Sequence, residues 1–396
     1  MPPTLFRFLA ISSAEELSSQ MLNVAIGWYV YSLTHNPMSL AYAGLAQFLP
    51  NAVTALAAGH AADRFERRKM IAWPLAAQAA ALAAFALWAA VAGPSVLPVY
   101  LLLLVLGAAR AFGSPAMSAM LPNIVGTNDF PRAVASASSA HQICTVAGPA
   151  IGGLIYAVGG RAVFAAAAAL YLFALTQAFR LPAGGRPDAS GDQSMLAGVR
   201  YVRSNRLLLA LLSLDLFAVL LGGVTALLPI YAKDILAVGP VGLGCLRCAP
   251  GVGAAIVGLM LARRSIGDGA GKLMLSCVAG FGMATVTFAL STSFWLSVAA
   301  LMAAGGFDMV SMVVRHTMVQ IATPDAMRGR VSAINWVFIG ASAELGEFES
   351  GATAALFGTV PAALLGGLGT LVVVGLWTMM FPELREKRRS LAVTAH

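Results

Sequence analysis

The stretch Gly59–Met70, GHAADRFERRKM, is a dense cluster of charges between two long apolar runs. A helix needs about 20 predominantly apolar residues to cross a lipid bilayer. Residues 39–60 and residues 70–92 both meet that requirement, so the stretch is predicted to be a tight turn between two membrane-spanning helices. Its Arg and Lys residues predict that the turn lies on the cytoplasmic side, because short cytoplasmic loops carry an excess of both.

The composition predicts the same kind of molecule for the whole chain. Of its 396 residues, 59% are hydrophobic and 11% are charged, whereas a soluble domain carries roughly 25% charged residues. The net charge of +8 does not indicate a nucleic-acid partner, because the basic residues sit in short loops between apolar runs. We therefore expect an all-α integral membrane protein whose partner is the lipid bilayer.

Twelve apolar runs are long enough to be transmembrane helices. They are predicted near 7–32, 39–60, 70–92, 97–121, 133–158, 162–180, 208–231, 241–262, 272–291, 295–320, 331–356 and 360–381. With the N-terminus inside, only Arg161 and Lys233 fall in outer loops, and Arg110, Arg247 and Arg315 lie within spans. The other basic residues are then cytoplasmic, so both termini of this multi-pass chain are predicted to be cytoplasmic.

The longest hydrophilic break, 181–207, falls at mid-chain and predicts a cytoplasmic linker with a short amphipathic helix in its second part. It separates six predicted helices in residues 1–180 from six in residues 208–396, which end in a short cytoplasmic tail. The halves look related, because Asp129 follows the fourth helix as Asp325 follows the tenth. The sequence therefore predicts two pseudo-symmetric six-helix bundles, which can move around a shared site near the membrane midplane.

The charged turn resembles the loop motif of the major facilitator superfamily, in which a Gly is followed by Asp-Arg and then by consecutive Arg residues. The matching residues are Gly59, Asp63, Arg64, Arg67 and Arg68, whereas Ala61 and Glu66 stand where Leu and Gly are usual. The resemblance implies the superfamily's fold and a cytoplasmic gate, in which the motif's Asp sits at the N-terminus of the eleventh helix. The alternative is that the basic residues only enforce topology.

The predicted fifth helix contains Gly148, Pro149, Gly152 and Gly153. Small residues permit close helix packing and Pro bends a helix, so tight packing alone would explain them. The group also resembles the antiporter motif found in exporters of the superfamily, with Cys144 in place of the upstream Gly. That resemblance favours export.

Charged residues inside the predicted spans indicate a polar interior. A charge at the bilayer centre costs about 2.5–3.5 kcal/mol on insertion scales, so it should face a partner or a wet cavity. Arg110 resembles the superfamily's helix-four Arg, which is associated with proton coupling, and Glu15 and Glu16 are its predicted partners. The other acids are Asp215, Asp308, Glu344, Glu347 and Glu349, with Arg315 two turns from Asp308 on one helix face. Each acid is expected either to join a structural ion pair or to carry a proton.

The other reactive side chains are interpreted as having structural roles. His141 and His316 are interpreted as packing or hydrogen-bonding groups rather than as a proton relay. Cys245 and Cys248 have a C-x-x-C spacing in an apolar helix without a second pair, which does not favour a metal or redox site. Because we find no phosphate-binding loop, metal-ligand set or nucleophile arrangement, we expect no enzyme activity, metal or cofactor.

Several strings resemble one bacterial subfamily of the superfamily, the one that contains the enterobactin exporter. They include GLAQFLP at 44–50, TPDAMRGRVSA at 323–333 and GEFESG at 346–351. The resemblance implies a proton-driven exporter of siderophores or drugs in the bacterial inner membrane. We expect a monomeric secondary active transporter that moves a small amphipathic molecule against protons by alternating access. The alternatives are a proton-coupled importer of a small nutrient and a non-transporting membrane sensor.

Overall fold

A computed structural model of the chain describes residues 3–126, 129–182, 195–263 and 269–384, and the regular elements within these ranges are helical. The helices α1 to α14 are Pro3–Thr34, Pro37–Arg64, Arg67–Val91, Leu97–Ile124, Phe130–Val158, Gly160–Ala178, Met195–Ser204, Arg206–Gly222, Leu228–Ile230, Gly239–Leu261, Ala270–Leu290, Phe294–Ala322, Asp325–Phe357 and Thr359–Met380. Two 3₁₀ turns, Thr225–Leu227 and Pro382–Leu384, and a π-helical segment, Tyr231–Ile235, complete the described elements.

The apolar helices have the length that a bilayer requires. Within the described residues, nine helical segments are long and apolar enough to cross a membrane: Arg67–Val91, Leu97–Ile124, Phe130–Val158, Gly160–Ala178, Arg206–Ile235, Gly239–Leu261, Ala270–Leu290, Phe294–Ala322 and Thr359–Met380. Helices α1, α2 and α13 have 32, 28 and 33 residues and more polar sequences. The predicted all-α membrane architecture is confirmed, and the count of twelve spans stays a prediction with which this arrangement is consistent.

The predicted span near 208–231 corresponds to the segment Arg206–Ile235, within which the helix is interrupted. Helix α8 ends at Gly222, and Gly223 has an extended conformation. The chain then passes through the 3₁₀ turn, α9 and the π-helical segment before it reaches Ile235. Two consecutive glycines weaken the helix at this point, because glycine loses the most conformational freedom on entering a helix.

A separate short helix, α7, occupies the second part of the predicted linker, as the sequence indicated. It ends one residue before Asn205, whose side chain accepts hydrogen bonds from the backbone N–H groups of Leu207 (3.1 Å) and Leu208 (3.2 Å). This cap satisfies donors at the start of α8 that have no partner within the helix. Helix α7 packs against α13 and α8. Residues 183–194 of the linker lie outside the described residues.

The chain forms two compact units. The first comprises Met1–Ser190 with Pro229–Cys248, and the second comprises Gly191–Leu228 with Ala249–His396. In the first unit, α1 packs against α5 and α6, α2 against α4, and α3 against α4 and α6. In the second unit, α11 packs against α12 and α14, while α8 packs against α13 and α14. The predicted division at the 181–207 linker stays a prediction.

Candidate functional site

A carboxylate on α1 is held by polar side chains from two helices of the first unit. Glu16 Oε1 accepts a hydrogen bond from Gln20 Nε2 (2.8 Å) and lies 3.2 Å from Thr145 Oγ1, whose hydroxyl is also 3.0 Å from the carbonyl oxygen of His141. The other oxygen, Oε2, lies 3.5 Å from His141 Nδ1. Because residues four apart share one helix face, Gln20 stands beside Glu16 on α1, and His141 and Thr145 stand together on α5. We call these four side chains the Glu16 cluster.

The two titratable members of the Glu16 cluster differ in how far their side chains are enclosed by the protein. The side chain of Glu16 is 13% exposed, whereas that of His141 is 57% exposed. Imidazole changes its charge near neutral pH, and a carboxylate within reach of its ring can exchange a proton with it. The arrangement places a largely buried carboxylate beside an exposed imidazole, and the role of Glu16 in proton coupling stays a prediction. The sequence analysis predicted Glu16 as a cavity charge, but it missed Gln20 and Thr145 and interpreted His141 as a packing residue.

Small residues of the predicted motif bring α5 close to α1. A Cβ atom added at Gly148 would lie 2.5 Å from Gln20 Cβ, and one added at Gly152 would lie 2.8 Å from Met21 Cα. No larger residue fits at either position unless the helices separate, so these glycines set the distance over which His141 reaches Glu16. The motif thus has a packing role, and its role in antiport stays a prediction.

The same motif approaches α10 on its other side, within the first unit. A Cβ atom added at Gly153 would lie 2.6 Å from the carbonyl oxygen of Pro240, and one added at Gly244 would lie 2.6 Å from the carbonyl oxygen of Pro149. Both contacts are made by backbone atoms. Helix α5 therefore has closely packed neighbours on two faces at the level of the motif.

The neighbouring acid on α1 faces a different helix. Glu15 lies close enough to Arg110 of α4 to interact electrostatically with it. A Cβ atom added at Gly113 would lie 4.0 Å from Glu15 Oε1, which places the carboxylate beside α4. Successive residues of an α-helix are separated by about 100° around its axis, so Glu15 and Glu16 meet different partners. Glu15 thus lies beside Arg110, whereas the described contacts of Glu16 are with Gln20, Thr145 and His141, and the predicted role of both acids with Arg110 stays a prediction.

In the second unit, a buried ion pair joins α8 to α12. Arg315 contacts Asp215, and their side chains are 4% and 12% exposed, respectively. Asp308 of α12 is exposed and lies within electrostatic range of both members of the pair. The sequence placed Asp308 and Arg315 on one helix face, but the structure gives the direct contact of Arg315 to Asp215. His316 lies near enough to interact with the pair as well.

Three acids of α13 are partly buried. They are Glu344, Glu347 and Glu349. Glu349 Oε1 accepts a hydrogen bond of 2.8 Å from Thr353 Oγ1, one turn further along the same helix. The predicted role of Glu344 and Glu347 as cavity charges is untested by these contacts and stays a prediction.

The charged turn between α2 and α3 is only partly described. The side chains of Asp63 and Arg64, and the surroundings of Gly59, lie outside the described residues. Arg67 Nη1 donates a hydrogen bond of 3.3 Å to the carbonyl oxygen of Ala119, near the end of α4. This contact ties the turn to α4. The predicted gate stays a prediction.

Glu66 occupies a position at which the superfamily motif usually has Gly. Its Oε1 lies 3.2 Å from Arg68 Nη2, and its Oε2 lies 3.4 Å from Lys69 Nζ. A local acid therefore compensates two of the basic side chains. Arg68 thus has a partner inside its own turn.

A polar cluster that the sequence analysis did not predict lies at the C-terminal end of α1. The Tyr31 hydroxyl donates a hydrogen bond to Asp234 Oδ2, in the π-helical segment. Lys233 Nζ lies 3.1 Å from His35 Nε2 and 5.8 Å from the centre of the Tyr31 ring. The one available signal was the adjacent pair Lys233-Asp234 in an otherwise apolar stretch.

The cysteines do not pair with one another in the described part of the chain. Cys245 and Cys248 are free thiols, and Cys248 Sγ donates a hydrogen bond to the carbonyl oxygen of Cys245 over 3.2 Å. No group of three or more His, Cys, Asp or Glu side chains that could hold a metal ion occurs among the described residues.

Comparison with known proteins identifies the class to which this arrangement belongs. The family described as transmembrane secretion effector matches residues 2–395. Enterobactin exporter EntS from Escherichia coli O1:K1 is 29% identical over 395 residues, which cover 98% of this chain and 92% of the exporter. EntS from Shigella boydii serotype 18 gives the same values.

Solved structures show the same fold at much lower sequence identity. The nucleoside transporter NupG aligns with a TM-score of 0.75 at 12% identity, covering 96% of this chain and 99% of NupG. A bacterial homologue of the human lysosomal transporter Spinster, inward-facing and occupied, also gives 0.75 at 12% identity, covering 96% and 97%. The relatives are transporters rather than enzymes, so the protein is a multi-pass membrane transporter with a small-molecule substrate. The chain belongs to the transmembrane secretion effector family of the major facilitator superfamily.

Proposed function

We propose that the protein exports a small amphipathic molecule, such as a siderophore or a drug, and drives this export by taking protons in the opposite direction. The observation that carries the proposal is the Glu16 cluster. It joins a largely buried carboxylate to an exposed imidazole across two helices, an arrangement that supports proton exchange. A secondary transporter without such a titratable pair would need another ion or the substrate's own gradient.

The Glu16 cluster supplies a way to couple protons to a change in shape. Gln20 donates a hydrogen bond to the carboxylate, and Thr145 of α5 lies within hydrogen-bond distance of it. A movement of α5 away from α1 would remove the Thr145 hydroxyl and the nearby imidazole. A proton on the carboxylate would then offset the loss of these partners, because an uncompensated charge is costly in a membrane interior. Proton uptake and the separation of the two helices are therefore linked.

The proposed direction of transport is supported by the sequence similarity to an exporter. Enterobactin exporter EntS is related over nearly the whole of both chains, which supports export rather than uptake. The name of that relative also supports a siderophore-like substrate, although 29% identity leaves room for different pocket residues. Arg110 with Glu15, and Arg315 with Asp215 and Asp308, are the charges that we assign to the transport cavity. Glu344 and Glu347 are assigned to it as well.

The proposal includes the membrane arrangement that the sequence predicts. Both termini are cytoplasmic in the bacterial inner membrane, and a monomer alternates between inward-open and outward-open states. The halves 1–180 and 208–396 are joined by the cytoplasmic linker 181–207, and the turn that carries Asp63, Arg64 and Arg67 closes the cytoplasmic side.

Reconstituted protein tests the coupling directly. Proteoliposomes with an internal pH-sensitive dye are given a pH gradient and then a panel of siderophores and lipophilic cations. We expect substrate-triggered proton movement in the wild type and its loss in Glu16→Gln, with substrate binding retained. Glu383→Gln is the matched control, because it also removes one carboxylate but affects a partly exposed pair with Arg206 outside the Glu16 cluster.

The outcomes separate the alternatives. Substrate movement that ignores the pH gradient would contradict proton coupling and leave a uniporter. Accumulation on the side opposite to export would favour the importer. Coupling that survives in Glu16→Gln but is lost in Asp308→Asn would move the proton carrier to the second unit.

A further inference from the structure

We infer that the first unit contains a second binding site, outside the Glu16 cluster, for a small aromatic anion such as a benzoate-type acid. The site is a pocket of about 200 Å³ between α1, α3, α5 and α6. A cavity of about 150 Å³ is enough to hold one benzene molecule. The pocket therefore has room for a single six-membered ring with one small substituent.

Aromatic side chains form the walls of this pocket. Tyr29 of α1 stands edge-on to Phe85 of α3, with ring centres 6.1 Å apart, and to Phe164 of α6, with centres 6.5 Å apart. The Phe85 and Phe164 rings have centres 4.6 Å apart. Aromatic rings attract one another most strongly in such edge-to-face or offset arrangements. A bound ring would extend a set of contacts that the protein already makes, which favours an aromatic ligand over an aliphatic one.

Two phenol groups at the pocket have unused hydrogen-bonding capacity. Tyr29 and Tyr156 both line it and are partly buried, and neither hydroxyl makes a hydrogen bond to a residue that the structure describes. Neither hydroxyl oxygen is fully enclosed, so a ligand in the pocket can reach both. A polar group on the ligand would supply a hydrogen-bond partner.

The positive charge at the pocket favours an anionic ligand. Arg161, near the start of α6, lines the pocket and is exposed. The lining residues, all of which are described, include no acid. A guanidinium presents a planar fork of donors that matches a carboxylate, and charge-assisted bonds of this kind are stronger than neutral ones. A cationic ligand would instead be repelled, although aromatic walls alone would accept one.

The pocket is separate from the proposed transport chemistry. Tyr29 follows Glu16 by thirteen residues on the same helix, which corresponds to about 20 Å of helix rise. A ligand in the pocket would contact α1, α3, α5 and α6 together, and would favour whichever conformation keeps these helices packed. Failure of this proposal would leave the proton-coupling proposal untouched, since neither depends on the residues of the other.

Saturation-transfer NMR on the full-length protein in phosphatidylcholine nanodiscs tests the site. Benzoate is the probe, and cyclohexanecarboxylate and benzyl alcohol each lack one of the two recognised features. We expect saturable binding of benzoate, with both analogues at least about tenfold weaker. Arg161→Gln should weaken the affinity for benzoate by about tenfold. Tyr156→Phe, which keeps the ring, should weaken it by a few-fold.

Arg132→Gln is the matched control, since it removes an exposed Arg elsewhere in the first unit. It should leave benzoate binding unchanged. Equal binding of benzoate and cyclohexanecarboxylate, no saturable benzoate binding, or insensitivity to Arg161→Gln would overturn the inference. Displacement of benzoate by added phosphatidylglycerol would assign the pocket to a lipid headgroup and overturn it too.

Discussion

Removing the carboxylate from the buried ion pair of the second unit should cost several kcal/mol of stability. In Asp215→Asn, the guanidinium of Arg315 would face a neutral amide while remaining almost entirely enclosed, since it is 4% exposed. Its Nε atom is already buried without a hydrogen-bond partner among the described residues. The positive charge therefore depends on Asp215 for its compensation.

Two typical free-energy values bear on the expected loss of stability. Breaking a buried ion pair by removing one partner costs about 3–5 kcal/mol in soluble proteins, whereas interhelical hydrogen bonds in membrane proteins average about 0.6 kcal/mol. The first value applies better, because the orphaned group is a full charge. We therefore expect a loss of about 3–5 kcal/mol, a large fraction of the roughly 5–15 kcal/mol that holds a typical protein folded.

A double-mutant cycle measures this quantity. Unfolding by SDS in mixed micelles gives the free energies of the wild type, Asp215→Asn, Arg315→Gln and the double variant. The double variant should be more stable than either single variant, because it leaves no uncompensated charge. The control is Glu383→Gln, whose partner Arg206 is 70% exposed, and its effect should stay below about 1 kcal/mol.

Additivity would refute the reasoning. If the two single losses sum to the loss in the double variant, Asp215 and Arg315 do not stabilise each other. If Asp215→Asn costs no more than Glu383→Gln, burial of the pair has no energetic consequence, and the charge of Arg315 is compensated elsewhere.

Three further substitutions probe other contacts. Gly152→Leu should prevent α5 from packing against α1, so the yield of monodisperse protein in size-exclusion chromatography should fall sharply; a normal profile would contradict the close approach. Tyr31→Phe removes the hydroxyl that donates to Asp234 and should lower the free energy of SDS unfolding by about 1.5–3 kcal/mol. Trp377→Phe loses the 3.2 Å hydrogen bond from its Nε1 to Ser213 Oγ, and about 1 kcal/mol is expected in the same assay; no change would show that water replaces this partner.

Hydropathy and length predict this fold well because the bilayer leaves few alternatives. A long apolar segment must satisfy its own backbone groups, and a helix does so alone. The bounds of α5 and α12 accordingly fall within a few residues of the prediction. The interruption after Gly222 was missed because glycine is common in membrane helices and does not by itself signal an end.

The partners of the charged residues could not be read from the sequence. A choice between Glu15 and Glu16 for Arg110 depends on the rotation of α1 relative to α4 and α5, which no local pattern encodes. The partner of Arg315 also depends on how the helices pack, and the sequence spacing favoured Asp308. Partners such as Thr145 are still harder to predict, because a hydroxyl in a membrane helix most often bonds to its own backbone one turn back.

The glycines between α5 and α10 determine how these helices can move. Helices usually pack with the ridges of one seated in the grooves of the other, and a shift between them must lift side chains over one another. At Gly153 and Gly244 the backbones touch directly, so no side chain has to change rotamer when one helix slides along the other. Because backbone atoms make this contact, axial sliding of one helix along the other meets little steric resistance there.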